Sequence, residues 1–210
     1  MIKTILILIS LAFWTSCMTS QLPSASAETI KETMSEKLPF HQIPDAPETY
    51  TAESVAARMV DGLGYRYYWA TQGLTEKEMD YKPGEDSRTV RETLEHLTGL
   101  SQGIANAMLQ KPNVRTSEKV KLSLDERRAI TLQNLQTASD ILHKAGSESL
   151  KSFNVVFQRG EKSSSFPFWN LINGQISDAL WHTGQIVMMR RAAGNPIPPG
   201  VNVFMGRTSE

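Results

Sequence analysis

Two histidines and one aspartate are the residues of this chain best suited to holding a metal ion. Asp178 and His182 both lie in the segment DALWHTGQIVMMRR, at a spacing that places them on one face of a helix. His96 lies much earlier, in RETLEHLTGL, which has the period of another helix. Two imidazoles and a carboxylate from facing helices can fill three coordination positions of a divalent ion. The fourth position then stays open for water or substrate, as in catalytic zinc sites.

The same residues also fit a simpler explanation. At about 100° per residue, Asp178, His182 and Gln185 lie on the flank of the apolar face of their helix, and His96 lies on the flank of its own. Such positions suit a half-buried pocket between helices, but they also suit ordinary polar residues at a surface. Gln185 is a candidate for orienting a metal ligand; the alternative is a glutamine in contact with solvent.

Other residues that could do chemistry carry weaker patterns. His41 falls in a polar linker and is expected to be solvated. His143 lies near the end of a helix, where a cation favours the helix dipole. Trp169 and Trp181 are expected either to pack as ordinary aromatics or to line a pocket. No serine or cysteine occurs in a recognised nucleophile motif.

Segments with helical periodicity carry these residues. They span about residues 51–71, 88–108, 123–145 and 167–194. The third opens with a capping box, Ser123-Leu-Asp-Glu126. Four helices of similar length predict an all-α four-helix bundle over residues 48–195. The stretch SFNVVFQRGEKSSSFPF predicts a short hairpin-like loop before the last helix, and residues 196–210 are expected to form a tail that packs on the bundle.

The composition excludes some classes of partner and cross-link. Lys+Arg and Asp+Glu both number 22, so the formal net charge is zero. A balanced surface without a basic stripe gives no electrostatic reason to expect nucleic-acid binding. The single cysteine excludes a disulfide within the chain.

The N-terminus predicts export. Met-Ile-Lys precedes the apolar run TILILISLAFW, which is too short to span a bilayer but fits a signal peptide. Trp14-Thr15-Ser16-Cys17 resembles a bacterial lipoprotein cleavage site. It predicts a leader over residues 1–16, lipidation of Cys17, a flexible tether over residues 17–47, and a membrane-anchored protein of the cell envelope. The alternatives are cleavage after Ala27, giving a soluble periplasmic or secreted protein, and an uncleaved anchor.

The chain resembles the DinB/YfiT-like family of small four-helix metalloproteins from about Ser54 to Gly206. The resemblance rests on Asp-Tyr-Lys-Pro after the first helix, ETLEHL on the second, DALWHTGQI on the fourth and NPIPPGVNVFMG at the end. It implies an up-down-down-up order of helices with a crossover at about residues 109–122. Family members bind metal through one histidine on the second helix and an H-x-x-x-H pair on the fourth. His96 and His182 match the first and last ligands, and Asp178 stands where the family has its middle histidine.

The resemblance implies metal-dependent chemistry on a small molecule. Carboxylate and imidazole ligands suit zinc or nickel best here, with iron or manganese as alternatives. Some family members resemble thiol transferases, whereas export makes a cytosolic thiol harder to invoke and favours hydrolysis by activated water. The alternatives are an envelope lipoprotein that binds metal or ligand without turnover, and a structural bundle with a vestigial site. A homodimer is left open.

Overall fold

The computed structural model describes residues 38–114 and 121–209, which are mostly helical. The helices are α1 (Ala52–Thr71), α2 (Glu76–Met79), α3 (Val90–Met108), α4 (Leu124–Lys144), α5 (Phe168–Leu171) and α6 (Ser177–Ala192). The strands are β1 (Asn113–Val114), β2 (Val155–Arg159), β3 (Lys162–Phe166), β4 (Val201–Asn202) and β5 (Arg207–Thr208). Across these two ranges, no helix is both long enough and apolar enough to cross a membrane. The predicted leader and Cys17 lie outside the described residues.

The long helices share one core. Helix α1 packs along α4 and α6, and helix α3 packs along the same two helices. Apolar side chains from all four are almost fully buried between them, among them Val60, Leu97, Leu135 and Ile186. Burial of each such side chain contributes about 1.5–3 kcal/mol relative to exposure. This core holds α3 against α6, the two helices that carry the candidate metal ligands.

The helix starts are set by local side-chain chemistry. Thr89 precedes α3, and its hydroxyl accepts from the backbone N–H of Glu92, whose carboxylate accepts from the N–H of Thr89. The predicted capping box at Ser123 and Glu126 is confirmed for α4. The same reciprocal arrangement opens α1 and the short helix α2. Each cap satisfies backbone donors that a helix leaves free and contributes about 1 kcal/mol.

Two small sheets correct the expectation of an all-α fold. Strands β2 and β3 form an antiparallel hairpin that pairs Val155 with Phe166 and Arg159 with Lys162. Gly160 supplies the positive φ of +59° that its turn requires. Strand β1 lies parallel to β2, and β4 pairs with β5. Strands of two residues contain too few positions for any alternation to be read from the sequence.

The last helix is interrupted, which corrects the prediction of one regular helix over residues 167–194. Residues Ile172–Ile176 form a π-helical segment between α5 and α6. The hydroxyl of Ser177 donates to the backbone oxygen of Ile172 at 2.6 Å. A π-helical turn accommodates an extra residue, so side chains before it are rotated by about 100° relative to a regular count. Asp178 is the second residue after this segment, so the segment influences the direction of its side chain.

The folded part begins before residue 47, where the predicted tether was expected to end. Phe40 is buried in the core, and a Cβ atom on Gly64 would lie 2.5 Å from its ring. The backbone N–H of Ile43 donates to the oxygen of Gly206 at 2.9 Å. The segment before α1 therefore packs between α1 and the C-terminal tail, and the glycine in α1 makes room for Phe40.

Candidate functional site

The candidate ligands come together where α3 meets α6. The Nε2 atom of His96 lies 2.9 Å from Oδ2 of Asp178, and Nε2 of His182 lies 3.3 Å from Oδ1 of the same carboxylate. The two imidazole rings stand edge to face with centroids 4.7 Å apart. One donor atom from each residue lies within 4.8 Å of the other two. The structure thus gathers the three side chains, and their role as metal ligands stays a prediction.

The hydrogen bonds of His182 define its tautomer. Its Nδ1 lies 2.7 Å from Oε1 of Gln185, and an amide oxygen can only accept, so Nδ1 carries the proton. Nε2 of the neutral ring then holds a lone pair. The guanidinium of Arg88, which can only donate, lies 3.4 Å from that nitrogen. Gln185 and Arg88 therefore favour a lone pair at Nε2, whereas Oδ1 of Asp178, 3.3 Å from the same nitrogen, can be accommodated only with a proton or a cation between the two atoms.

The arrangement fits a divalent cation. The lone pair on Nε2 of His182 faces an oxygen of Asp178 at 3.3 Å, and two electron-pair donors repel unless a cation or proton lies between them. Ligand atoms about 2.1 Å from a tetrahedral ion are about 3.4 Å apart. The 3.3 Å between Nε2 of His182 and Oδ1 of Asp178 is close to that value, whereas the 2.9 Å between Nε2 of His96 and Oδ2 is an ordinary hydrogen-bond length. Two nitrogens and one carboxylate oxygen form a donor set used for zinc, nickel, iron and manganese.

The cluster is partly shielded from water. The side chain of His182 is 13 % exposed, and that of Asp178 is 40 % exposed. Such partial burial strengthens electrostatic interactions while leaving a route for a small molecule. The next residue, Thr183, is buried and donates to the backbone oxygen of Ala179 at 2.7 Å.

An open cleft of about 860 Å³ adjoins His182. Its walls are formed by α6 and by the loop before α3, and they include Tyr81, Arg88, Trp181, Gln185 and Met188. On its other side, Asp178 borders a smaller cavity of about 310 Å³ beneath the β2–β3 hairpin. The cluster therefore lies between two concave surfaces, and the larger one has the volume of a small-molecule site.

The remaining candidates fall into two groups. Gln185 contacts His182, as expected of a residue that orients a ligand. Trp181 lines the cleft, which is the pocket-lining alternative for this residue. Trp169 is exposed and borders a different, apolar groove beside the start of α1. His41 is exposed, although its ring lies against Tyr68 and Trp69.

A second polar cluster was not foreseen from the sequence. Asp61 of α1 is fully buried and accepts from the hydroxyl of Ser139 at 2.5 Å, and its other oxygen lies 3.0 Å from Nε2 of His143. The carboxylate, not the imidazole, is central, so the serine–histidine–carboxylate order of a catalytic triad is not formed in this cluster. Ser139 is also buried away from substrate. The cluster links α1 to α4. The one sequence feature that could have indicated it is the aspartate at position 61, a polar residue at a core position of α1.

Comparison with known proteins adds no relative. No family model matches the chain, and neither a curated protein nor a solved structure matches it. Function must therefore be argued from the geometry of the site.

Proposed function

We propose that this protein is a divalent-metal-dependent enzyme of the DinB-like superfamily, a hydrolase or a thiol transferase, with His96, Asp178 and His182 as its metal ligands. The observation that carries the proposal is the convergence of three donor atoms beside an open cleft. A cluster that served only to link α3 to α6 would not require an adjoining cleft. It would also not require a lone pair of His182 directed at the carboxylate of Asp178.

The four-helix bundle with the family's up-down-down-up order belongs to the same proposal. It is supported by the packing of α1 and α3 against α4 and α6. It is also supported by the position of His96 on the second long helix and of Asp178 and His182 on the last. The hairpin that precedes the last helix agrees with the proposed topology.

The residues of the site have separable roles. Gln185 holds His182 in the tautomer that presents Nε2 to the cluster. Asp178 directs one oxygen toward each histidine and supplies the negative charge that a cation requires. When bound, a divalent ion would act as a Lewis acid that lowers the pKa of a thiol or a water and so provides a nucleophile at neutral pH. The cleft beside His182 would hold the electrophilic substrate.

Elemental analysis of protein purified from cells without added metal tests the proposal. We expect wild-type protein to retain zinc or nickel, and His182→Ala to lose it almost completely, because a site with three protein ligands would keep only two. Asp178→His should retain metal, since imidazole replaces carboxylate, and its metal preference should change. His41→Ala is the matched control, because this exposed histidine lies outside the cluster.

Equal metal content in wild-type protein and His182→Ala would contradict the proposed site. Hydrolysis of a panel of esters and amides, and transfer of a small thiol to electrophiles, then separate the two reaction types. If the metal-loaded protein turns over none of these substrates, the alternative of a non-catalytic metal-binding envelope protein is favoured.

A further inference from the structure

Arg88 is a cation that lines the cleft and, among the described residues, forms no direct ion pair with a carboxylate; Glu92 on α3 interacts with it only at longer range. Within residues 38–114 and 121–209, its hydrogen bonds and ion pairs reduce to one contact, in which Nη1 donates to Nε2 of His182 at 3.4 Å. Arg91, one turn further along, instead pairs with Glu76 at 3.0 Å and with Asp80 at 3.5 Å. The two arginines lie three residues apart in the sequence, and of the two only Arg91 forms direct ion pairs with carboxylates.

The contact of Arg88 competes with metal binding. Nε2 of His182 is the atom that the proposed function assigns to the metal, and one lone pair cannot serve both a guanidinium and a metal ion. With the metal in place, Arg88 has no acceptor left among the residues described and faces the cleft. A guanidinium presents paired N–H donors that match the two oxygens of a carboxylate. Of the charged residues that line the cleft, Arg88 is the cation and Asp86 the anion, and the proposed divalent ion would lie at the edge of the cleft, with Asp178 among its ligands.

The same cleft also has exposed apolar side chains in its lining. Trp181 is 72 % exposed and Met188 is 63 % exposed, and both line the cleft together with Pro83 and Ala192. Trp181 and Met188 lie two turns apart on α6, so they share one face of the helix. Large apolar side chains exposed in a concave surface are characteristic of ligand-binding sites.

We infer that the cleft binds a small carboxylate with an apolar body, which places its carboxylate on Arg88 and its apolar part on Trp181 and Met188. This inference rests on the proposed function, because the metal is what frees Arg88 from His182. It narrows the substrate class to amphiphilic anions whose reactive group lies next to the His96–Asp178–His182 cluster.

Calorimetric titration with phenylacetate and its neutral isostere phenylacetamide tests the inference. We expect zinc-loaded wild-type protein to bind phenylacetate on the order of tenfold more tightly than phenylacetamide, since a charge-assisted pair is lost with the amide. Arg88→Gln should abolish this preference without lowering zinc content. Trp181→Ala should weaken both ligands. Arg91→Gln is the matched control and should behave as wild type, because Arg91 points to Glu76 and Asp80.

The outcomes distinguish the inference from the function on which it rests. If zinc binds but Arg88→Gln leaves the phenylacetate preference unchanged, the carboxylate site is wrong and the metal site stands. Equal binding of the two ligands by zinc-loaded wild type also overturns the carboxylate site. If zinc does not bind, the proposed function fails, and the inference fails with it unless metal-free protein still shows a preference that Arg88→Gln removes. Thermal unfolding of each variant verifies its folding, which an exposed arginine should not affect.

Discussion

Gln185 determines which nitrogen of His182 faces the candidate metal site. Its amide oxygen accepts from Nδ1 at 2.7 Å, so Nε2 is left with a lone pair. We predict that Gln185→Leu lowers metal affinity about 10–100-fold, the usual effect of removing a partner that orients a ligand. Gln185→Glu should retain the affinity, because a carboxylate accepts the same proton.

Competition with a chromophoric chelator measures this affinity. Gln102→Leu is the matched control, because Gln102 is exposed on α3 and bonds to Asn106 instead. Undiminished affinity in Gln185→Leu would show that the ring needs no such support.

Tyr67 places an unsatisfied hydroxyl in the core. Among the described residues, its oxygen is the one buried side-chain polar atom that lacks a hydrogen-bond partner. Burial raises the pKa of Tyr67 to about 12 against the opposing effects of Thr131, Arg128 and Arg127; Thr131 lies near the hydroxyl, but the geometry does not meet that of a hydrogen bond. We predict that Tyr67→Phe leaves the free energy of unfolding at neutral pH unchanged or raises it by about 1 kcal/mol, because a buried group without a partner costs free energy.

The same residue makes stability depend on alkaline pH. The unfolded chain ionises a tyrosine near pH 10, before the folded protein does, so the unfolded state gains as the pH rises through that value. The wild type should therefore lose on the order of 2–3 kcal/mol between about pH 10 and 12 that Tyr67→Phe does not lose. Denaturant titrations across this range measure the difference, and Tyr50→Phe is the control because Tyr50 is 96 % exposed. Parallel pH profiles of wild type and Tyr67→Phe would refute the account.

At the scale of elements, Arg190 joins the ends of α1 and α6. It is 1 % exposed, and its Nη1 donates to the backbone oxygens of Trp69, Ala70 and Gln72 at 3.2, 2.9 and 2.9 Å. Its other nitrogens donate to Asn195. Burial lowers the pKa of Arg190, and these acceptors compensate for the loss of hydration by satisfying the free carbonyls at the end of α1.

We predict that Arg190→Lys lowers the free energy of unfolding by about 2–4 kcal/mol, because an ammonium cannot reach acceptors on both sides and leaves buried groups unpaired. Chemical denaturation measures the change. Arg191→Lys should stay within about 0.5 kcal/mol of wild type, since Arg191 is exposed. Equal losses in the two variants would mean that the fork geometry of Arg190 is unimportant.

At the scale of the whole molecule, the leader predicts where the protein resides. Cys17 lies outside the described residues, which begin at Leu38. Close to that start, Phe40 is already buried in the core. We predict a mature N-terminus at Cys17 that carries more than one acyl chain, because a single chain binds membranes only marginally. Cys17→Ser should release the protein from the membrane fraction or leave the leader uncut.

Membrane fractionation and intact mass measurement follow both effects. The double substitution Ala25→Leu and Ala27→Leu blocks the alternative cleavage after Ala27. It should leave the mature mass of the N-terminus and the membrane partition unchanged if Cys17 is lipidated. Unchanged membrane partition of Cys17→Ser would instead favour soluble export or an uncleaved anchor.

Three of the long helices and the candidate ligands could be predicted from the sequence. Periodicity and capping residues act within a few positions along the chain, so α1, α3 and α4 could be predicted nearly to their ends. The spacing of Asp178 and His182 placed both on one face for the same local reason. His96 was grouped with them because two imidazoles and a carboxylate on facing helices suit a metal ion, the family resemblance supported the grouping, and the structure brings His96 to 2.9 Å from Asp178.

The surroundings of the candidate ligands depend on tertiary packing and could not be predicted from the sequence. The π-helical segment before Asp178 depends on how the last helix packs, so a regular count could not reveal it. Asp61 and Arg190 are buried polar residues whose partners come from distant helices, and no local pattern distinguishes them from surface charges. Arg88 and Arg91 cannot be distinguished by any local sequence pattern. Only the fold does so, because it places Arg88 against His182 and Arg91 against Glu76 and Asp80. Contacts between side chains that are far apart in the sequence form only when the helices pack. Their free energy comes from burial in the folded core, which no local sequence pattern specifies.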